Sequence, residues 1–312
     1  MKRAALLSVL IAGLTAALAP GADVIVPKLP RALAVGPNGN LYLADDARNQ
    51  ILERRRDGTF TVVATGLNRP GGMAFATDGT LYVADSGNDR VRAVSPGGAL
   101  STVAGNGRFG WVESRSPALR ASIPEPADVK LAPTGAVVIA ADREVLRLSG
   151  GVLTRIAGSR RYDGIYGIGG SAARAAVDSP NGLAFDRAGD LFLAGRATKA
   201  LLMITPRGTM RLVSDAFYPR GDGGLVTAPG GTVLAMETTR LVRVSPWGIR
   251  TIADFQRRTV GGIRNFLPNG IAVAPNGDVY LDTDNGNGWV NRTALIVVHP
   301  NRGIRVLWEA PR

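Results

Sequence analysis

The chain contains one histidine, His299, and no cysteine. Histidine is the usual general base near neutral pH and the commonest metal ligand, while cysteine supplies thiolate nucleophiles and zinc ligands. A Ser-His-Asp triad or a multi-histidine zinc site has only His299 to draw on. That residue lies in VVHPNRG, at 297–303, which reads as an outer hairpin. No cofactor and no bound transition metal are therefore expected. Elemental analysis of chelator-free protein should find no stoichiometric zinc, copper or iron.

Oxygen chemistry remains open. Carboxylates and amides suit calcium or magnesium, but such ions want several oxygens, anionic ones among them. Asn181 and Asn269 each stand in a Pro-Asn-Gly step. A ligand role for them competes with the simpler one of bonding their own turn. Asp45, Asp85 and Asp282 recur at or near the end of similar apolar runs. Recurrence of that kind reads as architecture, with the carboxylate accepting backbone N–H bonds in a turn.

Binding chemistry is concentrated in three longer segments. Trp111 lies in 105–125; Arg160, Arg161, Tyr162 and Tyr166 lie in 158–179. Aromatic side chains beside arginine dominate many binding hot spots, and connectors of this length are commonly functional or disordered. The third segment, TDNGNGWVNRT at 283–293, sets Trp289 among amides and suits a sugar or peptide. The competing role for the aromatics is to pin their loops to the rim.

These segments interrupt a repeat. PRALAVGPNGNLYLAD at 30–45 returns at 70–94, 126–142, 180–195, 223–237 and 268–282, six copies aligned on Gly39, Gly79, Gly135, Gly189, Gly231 and Gly277. Each copy has two short apolar runs around an Asn-Gly or similar turn, then a third and a fourth run. Four short strands per unit and almost no helical periodicity predict an all-β, six-bladed β-propeller of four-stranded antiparallel blades. Inter-blade connectors and the turns after second strands share one propeller face. Trp111, Tyr162, Tyr166 and Trp289 are therefore expected to gather there, around the channel mouth.

The wording of the repeats resembles the NHL family of six-bladed propellers, in its exported bacterial form. The second copy carries the fullest match, with Gly79, Leu81, Tyr82, Val83, Ala84, Asp85, Asn88, Arg90, Val91 and Arg92. The connectors 104–126 and 157–180 look like the Gly-rich inter-blade segment of that family and superpose with Arg120 against Arg174 and Pro126 against Pro180. The fifth copy departs most, with Asp222 in place of proline and Glu237 in place of aspartate. The resemblance implies a propeller without implying an activity. The family's amidating-lyase branch depends on histidine-bound metal, which this chain does not match. Lactone hydrolases of the gluconolactonase type hold a divalent metal at the channel mouth through Glu, Asn and Asp at the starts of inner strands. The corresponding positions here are Arg31, Gly71, Ala127, Asn181, Gly223 and Asn269, with Asp128 and Asp222 one residue off.

The first residues read as an export signal over 1–22, with Lys2 and Arg3, an uncharged apolar stretch at 4–19 and a small-residue end. The alternative is an uncleaved anchor. Residues 23–312 then form one propeller domain, exported to the periplasm, the cell wall or the medium, and monomeric. The formal charge of +12 favours anionic surroundings. The basic residues are spread over both expected faces, and no nucleic-acid recognition motif accompanies them. The expected partners are an envelope protein, a glycan or another anionic ligand. The sequence thus predicts a non-catalytic binding or scaffold module at the cell envelope. The alternative is a divalent-metal lactonase-like hydrolase.

Overall fold

The computed structural model describes residues 27–28, 30–159, 164–177, 179–195, 199–219, 224–255, 268–283, 294–299 and 303–309. The expected export signal lies outside them. Six antiparallel sheets follow one another along the chain; five have four strands in sequence order, and the third has four in order plus a fifth on its outer edge. Their innermost strands are Pro30–Val35, Pro70–Phe75, Asp128–Leu131, Pro180–Phe185, Leu225–Ala228 and Pro268–Val273. This is the predicted six-bladed β-propeller, and blades 1 to 6 are numbered in that order.

The turn glycines explain why the first hairpin repeats so faithfully. In blade 1 the Gly39 N–H donates to the Gly36 carbonyl at 2.9 Å, and Gly39 takes φ 76°. Only this last turn residue needs the left-handed region, which glycine enters without steric cost. The same bond recurs at Gly79, Gly135, Gly189 and Gly277. In blade 5 a short 3-10 turn, Pro229–Gly231, replaces it.

Six buried apolar clusters fill the six spaces between neighbouring blades. One joins Val91 and Ala104 of blade 2 to Val129 and Ile139 of blade 3. Another joins Leu33, Leu43 and Leu52 of blade 1 to Ala272 and Leu295 of blade 6, which closes the ring. Blade 6 completes itself with Ala294–His299 and Gly303–Glu309. It therefore needs no strand from the N-terminus.

The long connectors do something the repeat does not announce. Arg115–Pro117 forms a fifth strand on the outer edge of blade 3, paired to Val152–Gly158. The Ala118 N–H then donates to the Gly151 carbonyl at 2.8 Å. In the second connector the Ala172 N–H donates to the Gly208 carbonyl of blade 4, also at 2.8 Å. The two connectors superpose as the sequence indicated, Arg120 upon Arg174. Each clasps the outer strand of the blade it leads into and covers an otherwise open sheet edge.

Candidate functional site

The residues that precede the inner-strand prolines are conformationally unusual. Arg69, Glu125 and Ser179 stand immediately before Pro70, Pro126 and Pro180 and have φ of 51°, 36° and 44°. A residue before proline is biased toward extended backbone, and non-glycine residues in the left-handed region cost of order 1–3 kcal/mol each. Neighbouring blades hold two of them there. The Arg69 N–H donates to Asn49 Oδ1 at 2.8 Å, and the Glu125 N–H donates to Asp89 Oδ1 at 2.9 Å. Asn49 and Asp89 are themselves left-handed, at φ 54° and 51°. Asn and Asp tolerate that conformation better than other residues with a side chain.

These three residues meet around one cavity of about 160 Å³. Arg31, Ser86, Ala127, Asp142, Pro180 and Asn181 complete its wall. Blades 1 to 4 all contribute, from the starts of inner strands and the turns after second strands, so the cavity sits at the mouth of the central channel. Its charge is mixed. Arg31 lies 3.5 Å from Asp46, and Arg69 lies 4.0 Å from Glu125. The Ser86 hydroxyl donates to the Pro126 carbonyl at 2.5 Å and ties blade 2 to the entry of blade 3. Two guanidiniums beside two carboxylates, an amide and hydroxyls suit a small polar ligand that carries an anionic group.

Of the site residues expected from sequence, Asn181 lines this cavity. Trp111 and Tyr166 are not among its lining residues. Trp111 packs edge-on against Phe109 at 5.1 Å, in the connector that clasps blade 3. Tyr166 is exposed and bridges to Ala176 within its own connector. Arg160, Arg161, Tyr162 and Trp289 lie outside the described residues, and of Asn269 only the strand backbone is described. Arg31 and Ala127 were singled out by their place beside the inner-strand glycine position, whereas Arg69, Glu125 and Ser179 were not. The signal in the sequence is a variable residue before a proline that five of the six copies keep.

The recurrent carboxylates are accounted for by the fold. Asp45 accepts the Lys28 N–H at 3.2 Å, and Asp85 accepts the Asn68 N–H at 2.7 Å. Each thus anchors the connector that enters its own blade, and in the turn after the strand Asp85 accepts from the Asn88 side chain instead of from a backbone N–H. Asp282 accepts the Gly270 N–H. Blade 3 uses Glu144, which accepts the Val112 N–H at 3.0 Å. His299 Nδ1 lies 2.7 Å from Asp278 Oδ1, in the outer hairpin region of blade 6. Among the described residues, no group of three His, Cys, Asp or Glu is placed to hold a metal ion.

The inner ring also carries one charged pair. Asp128 and Lys130 stand where blades 2, 4 and 6 have Gly72, Gly182 and Gly270, and Ala74, Ala184 and Ala272. Lys130 Nζ donates to Asp128 Oδ1 at 2.5 Å. The Leu183 N–H of blade 4 donates to Asp128 Oδ2 at 2.9 Å. A Cβ on Gly72 would fall 1.8 Å from Asp128 Oδ1, so blade 2 needs glycine there. Burial pushes the Asp128 carboxyl above the usual aspartate range, against the opposing pull of Lys130.

The NHL repeat family matches residues 67–93, the connector and first three strands of blade 2. No curated protein matches the chain by sequence. Solved structures similar in fold include a catalytically inactive histidine-to-alanine variant of virginiamycin B lyase from Staphylococcus aureus with quinupristin. It is 14% identical, has a TM-score of 0.57, and the match covers 89% of this chain and 83% of that one. A gluconolactonase from Xanthomonas campestris is 15% identical with a TM-score of 0.63, over 82% and 84%. Regucalcin, a calcium-binding protein from Agrobacterium tumefaciens, is 15% identical with a TM-score of 0.59, over 85% of each. At such identity these likenesses establish the fold alone. The chain is thus a six-bladed β-propeller whose second blade matches the NHL repeat.

Proposed function

We propose that the chain is a non-catalytic binding module, exported to the cell envelope, that holds a small anionic ligand at the channel mouth. One observation carries the reading. A single repeated backbone position, held left-handed in blades 2, 3 and 4, presents three different polar side chains to one cavity. A repeat that keeps the conformation and varies the side chain presents a set of recognition groups on a rigid frame. Arg31 and Arg69 are the groups for the ligand's anion, and Asn181 and Ser179 are the neutral donors. The basic chain as a whole attracts such ligands.

A sugar acid fits this chemistry. Calorimetric titration with glucuronate, and with glucose for comparison, tests it. Glucuronate should bind and glucose should not. Arg69→Ala should weaken glucuronate binding about tenfold, about 1.4 kcal/mol, with little change in melting temperature because the side chain is half exposed. Equal binding of the two sugars, or an unaffected Arg69→Ala variant, would sink the reading.

The second reading is a divalent-metal lactonase-like hydrolase. The fold shared with a gluconolactonase and with calcium-binding regucalcin favours it, as does Asn181 at the channel mouth. The described lining residues hold only two carboxylates, Glu125 and Asp142. Hydrolysis of glucono-1,5-lactone above background with added calcium, abolished by Asn181→Ala, would favour this reading over the binder.

A further inference from the structure

We infer that the chain has a second ligand site, on the face opposite the channel mouth, which takes a small amphipathic organic acid between blades 2 and 3. A cavity of about 630 Å³ opens there. That lies within the size range of small-molecule sites, about 300–1,000 Å³. Tyr82 and Val103 of blade 2 form one wall, and Val137 and Leu148 of blade 3 form the other. The clasping connector supplies the rim through Leu119 and Arg120.

The charge of the cavity selects its ligand. Arg120 is the one charged residue that lines it, and no carboxylate does. Arg120 makes no ion pair among the described residues. Its main chain is nevertheless fixed, since its N–H donates to the Pro117 carbonyl at 3.1 Å and its carbonyl accepts from Asn106 Nδ2 at 3.0 Å. A guanidinium carried on a fixed backbone at the edge of an aliphatic and aromatic cleft fits a carboxylate with a short apolar body.

The repeat supplies an internal comparison. The second connector docks on blade 4 through the equivalent bond, and Ala173 stands there where the first connector has Leu119. Leu119 is 59% exposed. An exposed leucine alone is ordinary, but this one replaces an alanine at the edge of a cavity that also holds an unpaired arginine. Both connectors pair with the outer strand of their blade, the first through Arg115–Pro117 and the second through a bridge between Ser171 and Thr209, so the difference between the two rims lies in the side chains.

The test uses the fluorescent probe 8-anilinonaphthalene-1-sulfonate, displaced by octanoate, octanol or octylamine. The intact chain should bind one equivalent of probe. Octanoate should displace it at least tenfold better than the alcohol or the amine. Arg120→Gln should weaken probe and octanoate at least tenfold and abolish the preference over octanol. Leu119→Trp, which fills the cavity, should abolish binding, whereas Arg174→Gln and Arg69→Ala should leave it unchanged. Leu119, Arg120 and Arg174 are exposed, so far-UV circular dichroism and melting temperature should be those of the parent. Normal probe binding in both Arg120→Gln and Leu119→Trp would overturn the inference, as would an equal loss in Arg174→Gln. A dimer in sedimentation that Leu119→Trp dissolves would also overturn it, since the cleft would then hold a second copy of the chain. Arg69→Ala separates this site from the channel mouth, because loss of glucuronate binding there leaves octanoate binding untouched.

Discussion

Lys130→Ala should destabilise the propeller by about 3–5 kcal/mol at pH 7, the cost of leaving a buried charge without its partner. Asp128 is fully buried, and Lys130 is its close cationic partner. The double variant Asp128→Gly/Lys130→Ala should recover most of that loss. It puts in blade 3 the residues that blades 2, 4 and 6 already use, and buried ion pairs are often replaced by apolar groups without cost. The Leu183 N–H then loses its acceptor, which keeps the recovery short of complete. Urea denaturation of the parent, both single variants and the double variant gives the coupling. A Lys130→Ala variant as stable as the parent would show that the pair carries no weight in the ring.

The pH dependence has a definite sign. The Asp128 carboxyl titrates above the usual aspartate range in the folded state, so the native state keeps its proton where the unfolded chain has lost it. Its contribution to stability is fully present below the unfolded value of about 3.9 and is lost as pH rises through the higher folded value. Removing Lys130 takes away groups that lower the folded value, and the window widens upward. The deficit of Lys130→Ala should therefore be largest at neutral pH and shrink as pH falls, as Asp128 takes up its proton with or without its partner.

The ring was legible in the sequence because its causes are local. A left-handed glycine at the end of each first hairpin and alternating apolar runs fix strand number and register, and they recur often enough to count. The match of Arg120 with Arg174 also held, since Ala118 and Ala172 make the same bond to the next blade. What escaped has non-local causes. Arg115–Pro117 has no strand signal of its own and becomes one by pairing with an exposed edge. Arg69, Glu125 and Ser179 look like ordinary residues before proline. Their left-handed backbone is imposed from outside, for two of them by Asn49 and Asp89 of the preceding blade. Asp128 was visible as a carboxylate one residue off a ligand position, but Lys130 acquires meaning only when the inner strands are compared column by column. The aromatic residues drew attention by type, whereas the described cavity at the mouth is lined by charged and amide groups.

Asp85→Ala should cost as much as the loss of Lys130, and it should disturb the entry to blade 2 first. The carboxylate is inaccessible to solvent and accepts four bonds: from the Asn68 N–H, twice from Asn88 Nδ2 at 3.1 and 2.9 Å, and from Arg92 at 3.3 Å. Alanine would leave a guanidinium only 14% exposed without its counter-ion, together with a backbone N–H without its acceptor. Breaking such a pair costs about 3–5 kcal/mol. Asp85→Asn keeps an acceptor for Asn68 but removes the charge that holds Arg92, so its loss should be intermediate. Asp57→Ala is the control. Asp57 bonds only to Thr59 within an exposed outer turn, and its replacement should leave the melting temperature unchanged. Because Asn68 precedes Arg69, the same change loosens one wall of the channel-mouth cavity. Amide exchange at Asn68 and Arg69 should accelerate in Asp85→Ala before global unfolding does, and glucuronate binding should weaken along with it. Parent-like exchange at both amides would show that the buried carboxylate supports the blade without positioning the mouth.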